Sequence, residues 1–240
     1  MRFQYVTCWE ATDVTDPRVR AAGRLYERTL DPDERIPWEW IERGLGNPSG
    51  RTAGWKRHLL LAEVGPTLAG YAYGAFIPGY GGYLCYLGVD EACRGAGVGT
   101  QLFEAFFARV AADAAAAGES LSFVVWESHR PGADEPAAAH DIWAARVRLF
   151  DKVGGLWVKG VEFQTPNFAG DAGPVPLQLF VKPVDRPAAS FTADRLWGVV
   201  EGLYERVYRI DPGEPLFEQT VRPGVRPGLV PAREADRVEV

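Results

Sequence analysis

The chain of 240 residues is long enough for one substantial domain with a small appendage and too short for two large domains. Hydrophobic residues make up 47% and charged residues 24%, the balance of a globular chain that buries a core, which excludes a disordered or fibrous protein. With 26 basic against 32 acidic residues the formal charge is −6, which disfavours general attraction to nucleic acid or to an anionic membrane surface.

No stretch approaches the roughly 20 apolar residues needed to span a bilayer. The first ten residues turn polar too soon for the apolar segment of a secretory signal, so a cytoplasmic location is expected. Cys8, Cys85 and Cys93 are odd in number and lack paired C-x-x-C spacing, so neither a disulfide framework nor a metal site is expected.

Phe3 to Glu10 alternates with the period of a strand, with Phe3, Tyr5, Thr7 and Trp9 on one side. Asp16-Pro17 then opens a helix, the carboxylate acting as cap and proline taking the first position; Val19, Ala22, Tyr26 and Leu30 share its apolar face. A second helix runs from Pro37 through Trp38, Ile41 and Leu45 and stops in a segment of Gly, Asn, Pro and Ser. Leu59–Val64 and Thr67–Ile77 are strand-like runs joined at Gly65-Pro66, which predicts a hairpin.

After a loop at 79–82, Tyr83–Val89 has the length and composition of a strand. From Gly99 the period becomes helical, with Leu102, Phe106 and Val110 on one face and Gly118 closing the element. Leu121–Trp126 reads as a strand buried on both faces, Ile142–Lys152 as a helix ended by Gly154-Gly155. Trp157–Phe163 and Leu177–Val181 read as a last pair of strands around a loop rich in Gly and Pro. A linker follows Pro183, and Thr192–Ile210 predicts an amphipathic helix whose stripe of Leu196, Val200, Leu203 and Val207 must be covered, either in cis or in a homodimer. The last thirty residues, rich in Pro and charge, are expected to be irregular. The predicted organisation is therefore a domain over 1–185 and a C-terminal extension over 186–240, holding one helix at 192–210 and an irregular tail.

The segment with most chemical content is Val89-Asp-Glu-Ala-Cys-Arg94-Gly95-Ala96-Gly97-Val98-Gly99-Thr100, between a strand and an Ala-rich helix. Alternate glycines let a ligand approach the backbone, and the N–H groups that open a helix converge on an anion, so the segment suits a pyrophosphate. A Walker loop needs Lys-Ser/Thr after its last Gly, and here Thr100-Gln101 follows Gly99. A dinucleotide fingerprint needs Gly or Ala at its third position, directly after the strand; here Thr100 stands there and five residues separate Val89 from Gly95.

A Val ending a strand, followed by R-x-x-G-x-G opening a helix at Arg94, Gly97 and Gly99, resembles motif A of the GCN5-related N-acetyltransferases (GNAT). Leu121–Trp126 and the run Arg146-Val-Arg-Leu149-Phe150-Asp-Lys152-Val-Gly154-Gly155 resemble that family's motif B. The resemblance implies an α/β GNAT acyltransferase fold: a central mixed sheet with splayed middle strands, flanked by helices, here with a C-terminal helical extension. It also implies acetyl-CoA as acyl donor, without a metal. The pantetheine arm would lie along Leu87, Gly88 and Val89, and the pyrophosphate on Arg94, Gly95, Ala96, Gly97, Val98, Gly99 and Thr100. The implied activity is direct transfer of an acetyl or short acyl group to a primary amine, borne by a small molecule or a peptide, in a ternary complex. The alternative is a non-catalytic acyl-CoA-binding sensor or interaction module of the same fold.

An amine acceptor must lose a proton before attack. Many relatives carry a Glu in the strand before motif A, but Tyr83–Val89 has no carboxylate, and the Tyr of motif B that can protonate the leaving thiolate is Phe150 here. Glu127, ending the next strand, is the nearest replacement base, with His129 two residues on along the same side. Tyr83 and Tyr86 could supply a hydroxyl but are expected to pack, His58 and His140 to be surface or cap residues, and Trp38, Trp40 and Trp55 to form a small apolar core near the second helix rather than an aromatic cage.

Overall fold

Strand β1 (Val6–Glu10), the hairpin of β2 (Lys56–Val64) and β3 (Thr67–Ile77), and β4 (Gly81–Val89) pair antiparallel in the order β1-β2-β3-β4. The computed structural model describes residues 5–46, 52, 54–170, 173–222 and 224–237. The chain divides into two compact units. The first runs to Leu121 and includes Phe168–Gly170; the second holds the remaining residues from Ser122 onward.

In the first unit, α1 (Pro17–Thr29) starts as the sequence predicts, with the Asp16 carboxylate accepting from the Arg18 N–H and Pro17 at the first position. Val19, Ala22, Leu25 and Tyr26 turn inward against Leu59, Leu61, Tyr71, Tyr73 and Tyr86, together with Ile41 of α2 (Trp38–Gly46). The other side of this sheet receives α3 (Val98–Ala116), through Leu102, Phe103, Phe106 and Val110. β3 alternates accordingly. Its Tyr71 and Tyr73 fill the α1 side, whereas a Cβ at Gly70 would lie 2.9 Å from Leu102 and one at Gly74 would lie 2.6 Å from the Phe106 ring. Close approach of α3 therefore requires these two positions to be bare.

β1 is shorter than the predicted strand, and Phe3 lies outside the described residues. Of the predicted inward set, Tyr5 and Thr7 are exposed, and Trp9 packs on the core beneath the Arg18 guanidinium, 3.8 Å from its ring centroid. The three tryptophans do not form one small core. Trp38 stacks on Tyr26 with centroids 5.3 Å apart, Trp40 is 51% exposed, and Trp55 sits under Arg57.

His58 is a second correction. It lies on β2, buried, with Nδ1 2.5 Å from Glu10 and Nε2 2.5 Å from Asp113 of α3, and Arg109 pairs with the same Glu10. Alternation decides this outcome: Leu59 and Leu61 fill the α1 face, so His58 must point to α3, where it finds two carboxylates. His140 is exposed, as expected.

In the second unit, β5 (Phe123–Ser128), β6 (Leu156–Lys159), β9 (Gln178–Pro183) and β10 (Gly228–Pro231) form an antiparallel set in the order β5-β9-β6-β10, and β7 (Gln164–Thr165) pairs with β8 (Val175–Pro176). Helix α4 (Ala137–Lys152) begins before the predicted Ile142, because Pro136 caps an alanine run of high helical propensity. Trp126 of β5, Phe150 of α4 and Phe180 of β9 form an aromatic cluster, with Phe150 4.7 Å from Phe180 and 5.5 Å from Trp126.

Thr192 caps α5 (Ala193–Gly202), which continues as a wide π turn over Leu203–Tyr208 and ends at Arg209 in a left-handed conformation. Leu196, Val199, Val200, Leu203 and Tyr204 are buried within the single chain, so the predicted stripe is covered in cis except at Val207, which is half-buried. The tail is not wholly irregular: α6 (Pro215–Thr220) follows, and β10 pairs with β6, Leu229 opposite Val158. β6 presents a free edge whose N–H and C=O groups favour pairing, and this outweighs the Pro-rich composition.

Two predictions follow from this packing. Truncation after Val184 strips the β6 edge and uncovers the core that α5 shields, so the shortened protein should aggregate or lose most of its melting transition; a monodisperse product with unchanged melting temperature contradicts the packing. Replacing His58 by Leu leaves Glu10 and Asp113 half-buried without their shared donor, which should cost about 1–3 kcal/mol in denaturant unfolding, whereas a neutral effect would show the bridge to be incidental.

Candidate acyl-CoA cradle and proton-transfer residues

β4 delivers the chain into a short 3-10 turn at Glu91–Cys93, capped by Asp90, whose carboxylate accepts from the Ala92 N–H at 3.0 Å. Asp90 is held from the other side by Arg28 of α1 at 2.9 Å, and its own N–H donates to Ala69 at 2.9 Å. Arg94 leaves this turn in extended conformation and is exposed. Gly95 and Gly97 then adopt φ values of +79° and +84°, which side-chain-bearing residues rarely adopt. Gly97 is the N-cap of α3 and supplies no capping side chain, so the amides of the first helical turn are left for an external acceptor. A Cβ at either glycine would meet nothing within 4 Å, so the space above the turn is open. An open, amide-lined, positive helix terminus fits a diphosphate, and the charge of Arg94 stands at its rim.

Leu87, Gly88 and Val89, the predicted pantetheine track, are paired on one side with Ala72, Tyr71 and Gly70 of β3. Gly88 must be bare, since a Cβ there would lie 2.4 Å from the Tyr71 ring. The Tyr71 hydroxyl bonds the Thr29 side chain at 2.9 Å, so the end of α1 is tied to this part of the sheet. Cys93 is half-buried in the loop, and no catalytic role is assigned to it.

In the same unit a cleft of about 260 Å³ is lined by Tyr26, Glu27, Arg35, Trp38, Glu39 and Phe168. Its wall is fixed by two phenols. Tyr26 donates to the Ile36 carbonyl at 2.9 Å, and Tyr86 accepts from the Ile36 N–H at 3.0 Å, so the segment between α1 and α2 is gripped at both backbone groups of one residue. Burial pushes the Tyr86 phenol well above its ordinary range, so it stays protonated at neutral pH. Tyr83 is likewise buried, and both tyrosines pack as predicted.

The two predicted proton-transfer residues lie in the second unit. Glu127 is half-buried at the end of β5 and accepts a hydrogen bond from the Tyr208 hydroxyl of the π turn. His129, just beyond the strand, faces Glu135 at 3.6 Å. Phe150 is buried in its aromatic cluster. Tyr208 was missed by sequence reasoning, because 81 residues separate it from Glu127 and two tyrosines one turn apart are the only local signal. Among the described residues no group of three or more His, Cys, Asp or Glu side chains could hold a metal ion, and no helix is long and apolar enough to cross a membrane.

Residues 14–131 match the model of the Acetyltransferase (GNAT) family. Among solved structures, a GNAT-family protein from Bacteroides thetaiotaomicron is similar over 85% of this chain and 99% of its own, with a TM-score of 0.59 and 14% identity. An aminoglycoside 6'-N-acetyltransferase complexed with coenzyme A is similar over 75% and 99%, with a TM-score of 0.50 and 17% identity. At such identities the likeness is one of fold. No curated protein sequence matches the chain. The matched segment contains β2, β3, β4, the glycine turn and α3 entire, so residues 14–131 carry a GNAT acetyltransferase domain, and the chain shares that family's α/β fold.

Proposed function

We propose that the protein is an acyl-CoA-dependent N-acyltransferase that moves an acetyl or short acyl group directly to a primary amine in a ternary complex. The observation that carries this reading is the uncapped start of α3 beneath open space at Gly95 and Gly97, in a segment that matches the family. Acetyl-CoA is the donor that suits it: a diphosphate meets the amides of Gly95 to Thr100, with Arg94 alongside, and the acyl arm follows Leu87, Gly88 and Val89. The structural relative complexed with coenzyme A supports the choice of donor.

Attack on a thioester requires a neutral amine, and a Lys-like ammonium has a pKa near 10.4. In this reading Glu127 removes the proton, directly or through water, and His129 relays it to solvent. A backbone N–H near Val89 polarises the thioester carbonyl as negative charge develops on its oxygen. The departing thiolate takes its proton from water, because Phe150 carries no hydroxyl. In this reading the acceptor occupies the cleft beside Tyr26 and Trp38, whose lining sets Glu27 and Glu39 against the single Arg35 and so leans toward a cation, in keeping with the net charge. The absence of a carboxylate on β4 and the burial of Phe150 favour a second reading, a binder that kept the cradle and lost the chemistry. Turnover of acetyl-CoA with a panel of primary amines separates the two.

Gly97→Asp should abolish acetyl-CoA binding in calorimetry while the protein stays folded, since a carboxylate would occupy the space and repel the diphosphate; unchanged affinity would remove the basis of the assignment. Glu127→Gln should lower turnover at neutral pH by about 10²–10⁴-fold with acetyl-CoA affinity intact, and the deficit should shrink as pH rises and free amine accumulates. Wild-type turnover across the pH range would shift the base to His129 or to bulk water.

A further inference from the structure

The C-terminal helix carries a departure from regular geometry at the point where it meets Glu127. After Gly202 the chain widens into a π turn, with the N–H groups of Arg209 and Ile210 both donating to the Tyr204 carbonyl. Such turns cost hydrogen-bond quality and persist where surrounding contacts fix them. Here the contacts are explicit. Tyr204 is buried, and its hydroxyl donates to the Gln164 carbonyl at 2.7 Å and bonds Thr220 of α6 at 2.8 Å. Phe163 packs against both rings, 5.4 Å from Tyr204 and 6.4 Å from Tyr208, which are themselves 6.2 Å apart. The extra residue in the turn sets the angular position of Tyr208, and its hydroxyl ends on the Glu127 carboxylate.

We propose that Tyr208 is the positioning residue for Glu127: through its hydroxyl it holds the carboxylate in one orientation and keeps it ionised, so that the C-terminal segment completes the proton-transfer site. This rests on the reading of Glu127 as base. A phenol that donates to a carboxylate stabilises the charged form over the protonated one. Tyr204 of the same helix also faces the Glu127 charge; its phenol is pushed up by burial and further by that charge, so it stays a neutral donor. Across the ladder on β9 the residue opposite Glu127 is Leu179, which brings no charge, and on its own side His129 turns to Glu135. Through the Tyr208 hydroxyl the helix thus reaches this carboxylate directly. Local anchoring gives the control its rigidity, because the ring cannot swing away without breaking the Tyr204 and Phe163 packing.

The test needs no identified acceptor. In protein labelled with ¹³C at glutamate carboxyls, the Glu127 resonance is assigned by its loss in Glu127→Gln and followed against pH in the wild type and in Tyr208→Phe. Tyr208→Phe keeps the ring and should melt within a few degrees of wild type. Removing the donor should raise the Glu127 titration midpoint by about one pH unit or more; an unmoved midpoint overturns the proposal. With the most active amine of the panel, the acid limb of kcat/KM should move upward by the same amount in Tyr208→Phe, leaving the KM for acetyl-CoA unchanged. In Glu127→Gln the further change Tyr208→Phe should add no loss. If Glu127→Gln retains full turnover, the base reading fails whatever the titration shows; if Glu127→Gln is impaired and Tyr208→Phe keeps the wild-type profile, only the role of Tyr208 fails.

Discussion

The first turn of α3 leaves its backbone N–H groups without intrahelical acceptors, and the residue at the cap position, Gly97, has no side chain to satisfy them. In most helices a Ser, Thr, Asp or Asn would close that position at a gain of about 1 kcal/mol. Here the gain is forgone, and two residues in left-handed conformation keep the space in front of the amides clear. Once these donors are left open, an anion of the right breadth becomes the missing cap, and the remaining features of the first unit bear on how firmly the turn is held.

It is held from below and from the side. Bare positions at Gly70 and Gly74 bring α3 close to β3, while Tyr71 and Tyr73 on the alternate face support α1. Asp90 closes the 3-10 turn and pairs with Arg28, so the end of α1 and the start of the loop move together. The paired phenols of Tyr26 and Tyr86 grip Ile36 and give the neighbouring cleft a fixed wall. A rigid α1–sheet–α3 sandwich is thus a means of presenting backbone groups, and backbone groups recognise a cofactor through few specific side chains.

The parts of the fold legible in the sequence are those specified locally. Asp16-Pro17, the Gly65-Pro66 hairpin and the glycines at 95, 97 and 99 each announce a turn or a helix end through residues that are adjacent in the chain. What could not be read depends on distant partners. His58 looks isolated in sequence, and only the pairing of β2 with β1 and the packing of α3 give it Glu10 and Asp113. β10 carries Pro231 within a polar tail, and it becomes a strand because β6 offers an edge. Tyr208 reads as one more aromatic on an amphipathic stripe, and neither the π turn nor Glu127, far upstream, is visible from its neighbours. Residues 127 and 129 were singled out from strand position alone; the partner each takes had to come from the fold.

In the proposed function, backbone amides at the start of α3 receive the acyl donor. Titration of ¹⁵N-labelled protein with acetyl-CoA, followed through assigned amide resonances, tests it at the atoms concerned. The account predicts saturable shifts that are largest at Gly95, Gly97, Val98, Gly99 and Thr100, with smaller ones at Leu87 to Val89. Saturable shifts that spare this turn and fall elsewhere, or no response at millimolar acetyl-CoA, would contradict it.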